Sequence, residues 1–254
     1  MLIARDLKQA SRPKRRWPPR AWHRECYGRA GPGRKRNLHK SNTHHSIMKS
    51  AILSFLALTF PAHAISIAAA GSDYTQNFDG LATSGTTNTW ANGVTLPGWS
   101  LFRQPIPGSA ITTYSAGTGT SNDGSFYSYG ATGSDERALG ALGTGTYFGS
   151  PASGAIAGWM AVSFSNGSGG IFDGFEVSWD GEQWRNGGNT STQTMVFQYG
   201  FGANFTDVSI WWTPGGLFDF TSVVNSVPAG AVVGNSAGFV DGRGGFLCPI
   251  CPGL

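Results

Sequence analysis

The sequence predicts an all-β chain, specifically a jelly-roll-like antiparallel β-sandwich, and three observations carry that prediction. Short runs alternate apolar and polar residues with a period of two. Turns rich in Gly, Ser and Thr, such as "SAGTGTSNDGS" and "SNGSGG", separate the runs. No segment after Ala64 sustains the apolar stripe of an amphipathic helix. Residues 65–254 suffice for one domain with a real core and are too few for two.

The runs justify strands one by one. In "WMAVSFS", Met160, Val162 and Phe164 share a face opposite Ala161 and Ser163. In "GFEVSWD", Phe175, Val177 and Trp179 form the apolar face, and Glu176, Ser178 and Asp180 the polar one. "TQTMVFQYGF" aligns Met195, Phe197, Tyr199 and Phe201, and "DVSIWW" aligns Val208, Ile210 and Trp212. Two antiparallel sheets packed face to face are the simplest way to hide all of these half-apolar runs.

The two ends read differently from the middle. "MKSAILSFLALTFPAHA", residues 48–64, has the parts of a secretory signal: Lys49, an apolar run from Ala51 to Phe60, Pro61, then Ala62-His63-Ala64. A cut as late as residue 70 is also compatible with Ala68-Ala69-Ala70. The apolar run is well short of the roughly 20 residues that span a bilayer, so it reads as a removed signal and leaves no transmembrane anchor in this chain. Residues 1–47 carry thirteen Lys or Arg against Asp6 and Glu25, without helical or strand periodicity, and are expected to be an untranslated or disordered leader. Residues 243–254 are expected to be an irregular, truncated tail, leaving 65–242 as the β-sandwich and the sandwich short of its last strands. Cys248 and Cys251 in that tail form a CxxC; a zinc site needs two further Cys or His after Ala64, which the chain lacks, so the pair reads as part of a frame-shifted or prematurely ended tail, with a small local disulfide as the alternative.

Composition then excludes several function classes. After Ala64 the only cations are Arg103, Arg137, Arg185 and Arg243, against twelve Asp or Glu, a net charge of about −8. The overall pI of 9.1 is thus a property of the leader, and no nucleic acid is expected as a partner. All five histidines lie at or before His63 and the last lysine is Lys49. The mature chain therefore lacks the usual general base, the usual zinc ligand, the Schiff-base amine and the P-loop cation.

The remaining candidates are aromatic residues and acidic turns. Trp179 and Trp212 fall on apolar strand faces and are expected in the core, whereas Trp184, in a turn, and Trp211, beside Trp212, are candidates for an exposed platform on which a sugar ring could stack. Glu182 and Arg185 bracket Trp184 and are expected to pair with each other, fixing the turn. Asp79, Asn122 and Asp123 are oxygen donors of the type calcium prefers, which makes calcium the candidate cofactor. Glu176 and Asp180 share a strand face, but four residues place them about 13 Å apart, beyond the roughly 5 to 9.5 Å of paired glycosidase carboxylates.

"VSWDGEQWRNGGNTSTQTMVFQYGF" (residues 177–201), with "YTQNFDGLATSGTTNTWANGVTLPGWSLFR" (74–103) and "ERALGALGTGTYFG" (136–149), resembles the N-terminal β-sandwich domain of secreted bacterial surface proteins of the PEP-CTERM, exosortase-sorted type. The resemblance spans roughly residues 72–242, and the "GEQWR" turn after a strand is its most specific part. It implies export from a bacterium by a Sec-type signal and a non-catalytic place at the cell surface or in the extracellular matrix, with polysaccharide or matrix as partner. Similar domains precede extracellular nuclease or phosphatase-like domains, so the alternative is the accessory front domain of a truncated secreted hydrolase. The Pro-Glu-Pro motif, apolar helix and basic end of the family are not found after "FVDG".

Overall fold

The structure is a computed structural model that describes residues 3–10, 64–103, 110–148 and 156–247. The signal-like segment up to His63, Cys248 and Cys251 lie outside the described residues. The protein is all-β: its described helices are a four-residue turn at Gly145–Phe148 and two 3-10 turns at Phe205–Asp207 and Gly216–Phe218. Among the described residues no helix is long and apolar enough to cross a membrane.

In chain order the strands begin with β1 (Ile3–Ala10), β2 (Ile65–Ile67), β3 (Asp73–Gln76), β4 (Asn88–Thr89), β5 (Trp99–Arg103) and β6 (Thr113–Gly117). They continue with β7 (Ser125–Tyr129), β8 (Ala138–Leu142), β9 (Gly158–Val162), β10 (Phe164–Asn166), β11 (Phe175–Glu182) and β12 (Arg185–Asn186). The last six are β13 (Thr194–Met195), β14 (Tyr199–Gly200), β15 (Trp211–Trp212), β16 (Phe220–Thr221), β17 (Gly230–Ala231) and β18 (Val240–Leu247).

One eight-stranded sheet organises the chain, in the order β18-β11-β1-β8-β7-β6-β4, with β3 also paired to β1. Five two-stranded ladders complete the pairing: β2 with β10, β5 with β9, β12 with β17, β13 with β16 and β14 with β15. Most pairs are antiparallel, as the alternating runs predict, but β6–β7 and β2–β10 run parallel. Two boundaries differ from the sequence reading. Eight residues of the basic leader form β1, in the middle of the sheet, and β18 carries regular pairing to Leu247, five residues beyond the expected domain end.

Both faces of the main sheet are covered. On one, Val177 and Trp179 of β11 join Leu139, Phe126, Trp99, Leu101 and Phe220 in the principal core. On the other, Tyr127, Tyr129, Ala138 and Leu142 pack with Trp184 in a smaller cluster. This division follows from the pleat, which sends successive residues of β7 to opposite sides: Phe126 to the first cluster, Tyr127 to the second. Local turns feed the core. In "NFDGL", Asn77 Oδ1 accepts from the Asp79 amide, and Phe78 and Leu81 are buried. In "LPGW", Pro97 and Gly98 occupy a type II turn closed by Trp99 N–H to Leu96 O at 3.0 Å, with Gly98 at φ 80° where a side chain is disfavoured.

The alternating runs hold up unevenly. Met160, Val162, Phe164, Met195, Phe197 and Tyr199 pack on the core as their period requires. Phe201 and Ile210 do not: they are exposed at 57% and 59%. The β14–β15 ladder is only two residues long, and beyond it no described strand pairs with the chain to keep the alternation facing inward.

Candidate functional site

The run Glu182-Gln183-Trp184-Arg185-Asn186 begins at the end of β11 and is buried at every position. Trp184 is 2% exposed, Glu182 1% and Arg185 8%. Their partners explain the burial. Trp184 stacks on Tyr129 with ring centres 6.1 Å apart, and Tyr129 on Tyr127 at 4.8 Å. The indole N–H donates to Glu182 Oε2 at 2.7 Å. The expected Glu182–Arg185 pair is not formed: the Arg185 guanidinium donates instead to Gly119 O at 2.8 Å, Thr120 O at 3.2 Å and Asn122 Oδ1.

Two amides missed by the sequence reading complete the assembly. Gln183 behaves like a strand partner in side-chain form. Its oxygen accepts from the Val223 and Val224 amides at 2.7 and 2.8 Å, and its nitrogen donates to Val224 O at 2.8 Å. Asn186 donates to Ser226 O and Pro228 O and accepts from the Gly188 amide. Loop 117–123 can approach because Gly119, at φ +85°, has no side chain; a Cβ there would lie 1.9 Å from Trp184 O. The signal that could have revealed this was five polar or aromatic residues directly after a core strand, each long enough to saturate backbone groups of loops that lack a ladder of their own.

Trp184, Glu182 and Arg185 are therefore corrected from an exposed platform to a buried clamp joining loops 117–123 and 222–232 to the end of β11. Burial also moves the protonation of the rings: the Tyr129 hydroxyl is held well above the ordinary tyrosine range, first by burial and then by the neighbouring Tyr127, with Arg185 opposing. Arg137, buried beside this cluster, donates to Ser128 Oγ at 2.8 Å and Ser128 O at 2.5 Å, and burial lowers its affinity for the proton.

The calcium candidates are not brought together. Asp79 Oδ1 accepts from the Arg137 amide, beside the Tyr129–Ala138 end of the β7–β8 pair, whereas Asn122 and Asp123 precede β7 near its Ser125–Leu142 end. The six residues from Asp123 to Tyr129 span about 20 Å at strand spacing. Asn122 Oδ1 also already faces the Arg185 cation, and Asp123 Oδ2 accepts from Ser121 Oγ. Among the described residues no group of three His, Cys, Asp or Glu side chains is arranged to hold a metal ion.

Trp211 is different from Trp184. It is partly exposed and leans on Phe205 at 5.3 Å; Phe205 stacks flat on Phe102 at 4.2 Å and meets Trp159 edge-on at 5.7 Å. The four rings form a ledge in which Trp211, Phe205 and Phe102 are partly exposed and Trp159 is buried. Trp212, expected in the core, is also partly exposed and stacks on Tyr199 at 5.4 Å, while Trp179 is buried as expected. No family model, curated protein or solved structure matches the chain.

A recess of about 410 Å³ lies over β11 and β18 and is bordered by Glu176, Ser178, Trp179, Asp180, Leu217 and Arg243. Arg243 Nε at its border and Trp179 Nε1 on the core face of β11 are buried donors with no hydrogen-bond partner among the described residues. Arg243 also holds Asp241 in an ion pair. The recess brings Glu176, Asp180 and Arg243 to its border; the ledge offers a partly exposed indole.

Proposed function

We propose that the chain is an exported, non-catalytic β module of a bacterial cell-surface or extracellular-matrix protein, and that it binds polysaccharide on the aromatic ledge at Trp211. The observation that carries the ligand class is that ledge: a partly exposed indole backed by three further rings, an arrangement suited to stacking on the CH face of a sugar. Export rests on the signal-like residues 48–64 and on the acidic, lysine-free sequence that follows.

A non-catalytic role is supported by the chemistry of the carboxylates. Glu176 and Asp180 stand four residues apart on one strand, too far for a shared glycosidic bond. The Glu182 carboxylate is engaged by the Trp184 indole. The resemblance of residues 72–242 to the front domain of exosortase-sorted proteins agrees with this reading.

Co-sedimentation with insoluble polysaccharides, comparing the wild type with Trp211→Ala, tests the ligand class. The expected result is at least roughly tenfold weaker retention of the variant with an unchanged melting temperature, since about 1.4 kcal/mol of lost stacking corresponds to a factor of ten. Equal retention of both proteins removes the ledge as the binding surface.

A further inference from the structure

The central position of β1 has a consequence when combined with the export reading. One side of β1 pairs with β11, from Ile3 opposite Glu182 to Ala10 opposite Glu176. The other side pairs with two strands laid end to end: β8 at Ile3 and Ala4, and β3 from Leu7 to Ala10. A cut after Ala64 separates residues 1–64, β1 included, from the rest of the sheet. The edges of β11, β8 and β3 that faced β1 then border a slot one strand wide, and unpaired strand edges recruit another strand.

We propose that this slot is a strand-acceptor site in the exported protein, and that its occupant is an extended, basic segment of another polypeptide. The proposal rests on the export reading above. Two observations fix the character of the occupant. The walls are acidic: β11 contributes Glu176 and Asp180, and β3 contributes Asp73. The strand that fills the slot here places Arg5 opposite Asp180, and Lys8 opposite Ser178, midway between Glu176 and Asp180. Opposite charges on facing positions stabilise a ladder and like charges destabilise it. The chain after Ala64 cannot supply such a segment to a second copy of itself, because its four arginines stand singly at 103, 137, 185 and 243 and it contains no lysine.

The test uses the full chain with a site-specific protease sequence placed directly after Ala64. After cleavage under native conditions, gel filtration is expected to show residues 1–64 co-eluting with the remainder. Excess synthetic peptide of sequence IARDLKQA is expected to displace that fragment, and the peptide carrying Arg5→Glu and Lys8→Glu to need roughly tenfold more or to fail. Release of the fragment on cleavage with no change in melting temperature overturns the proposal, because the sheet then needs no strand there. Displacement by the charge-reversed peptide as readily as by the native one also overturns it. Protein sequencing of the chain recovered from the periplasm or medium of a bacterial host separates this outcome from failure of the export reading: an intact Met1 start sinks export without touching the strand exchange.

Discussion

Replacing Trp184 separates a buried clamp from a binding platform. The ring is 2% exposed, and an indole of this kind buries about 200 Å². At about 25 cal/mol per Å² its removal forfeits about 5 kcal/mol, in line with the ~3–5 kcal/mol typical of buried Trp→Ala changes. A domain of this size is stable by about 5–15 kcal/mol, so Trp184→Ala is expected to lose a large share of that margin. Trp184→Phe isolates the polar component: it keeps a ring to stack on Tyr129 but withdraws the donor from the buried Glu182 carboxylate, which costs about 1–3 kcal/mol. Urea denaturation followed by far-UV circular dichroism reads both variants without relying on the replaced fluorophore. The clamp is refuted if Trp184→Ala stays within about 0.5 kcal/mol of wild type, the range of ordinary surface substitutions.

Other changes probe the same assembly from different sides. Gln183→Ala strips the acceptor from the Val223 and Val224 amides and should cost about 2–4 kcal/mol in the same denaturation assay. Gly119→Ala combines a disfavoured φ with a clash against Trp184 O, and the expected result is loss of several degrees in Tm by calorimetry. Because the neutral Tyr129 is favoured in the fold, its contribution is fully present below about pH 10 and is lost as pH rises above it towards the higher folded-state pKa. An alkaline titration of stability should therefore fall more steeply for wild type than for Tyr129→Phe. Adding EDTA at matched ionic strength should leave the melting temperature unchanged, given the separation of Asp79 from Asn122 and Asp123.

The strand class was legible because it depends on local alternation, which survives whatever packs against it. β9, β10 and β11 emerge almost where "WMAVSFS" and "GFEVSWD" place them, and Trp179 enters the core by the same rule. Pairing was not legible, because it depends on which distant edges meet; the parallel β6–β7 and β2–β10 contacts have no signature in either strand alone. The candidate site failed for a related reason. A turn next to Gly181 reads as solvent-facing from its own residues, yet Trp184 and Arg185 are covered by loops roughly 40 to 66 positions away. Trp211 stays partly exposed, with Gly200 as its partner in the two-residue β14–β15 ladder.

The clamp also bears on the order of events when the chain folds. Arg185 reaches partners 63 to 66 residues back along the sequence, and Gln183 and Asn186 reach partners 40 to 42 residues ahead. Each contact closes a long loop before it returns any binding energy, which is the circumstance that slows folding of β proteins. Until those loops close, Glu182 and Arg185 stay hydrated, and the end of β11 has its ladders with β1 and β18 but not the clamp. A polypeptide proposed to be threaded outward through a secretion channel gains from that delay: the slower such loop-closing contacts form, the longer the chain stays unfolded for passage.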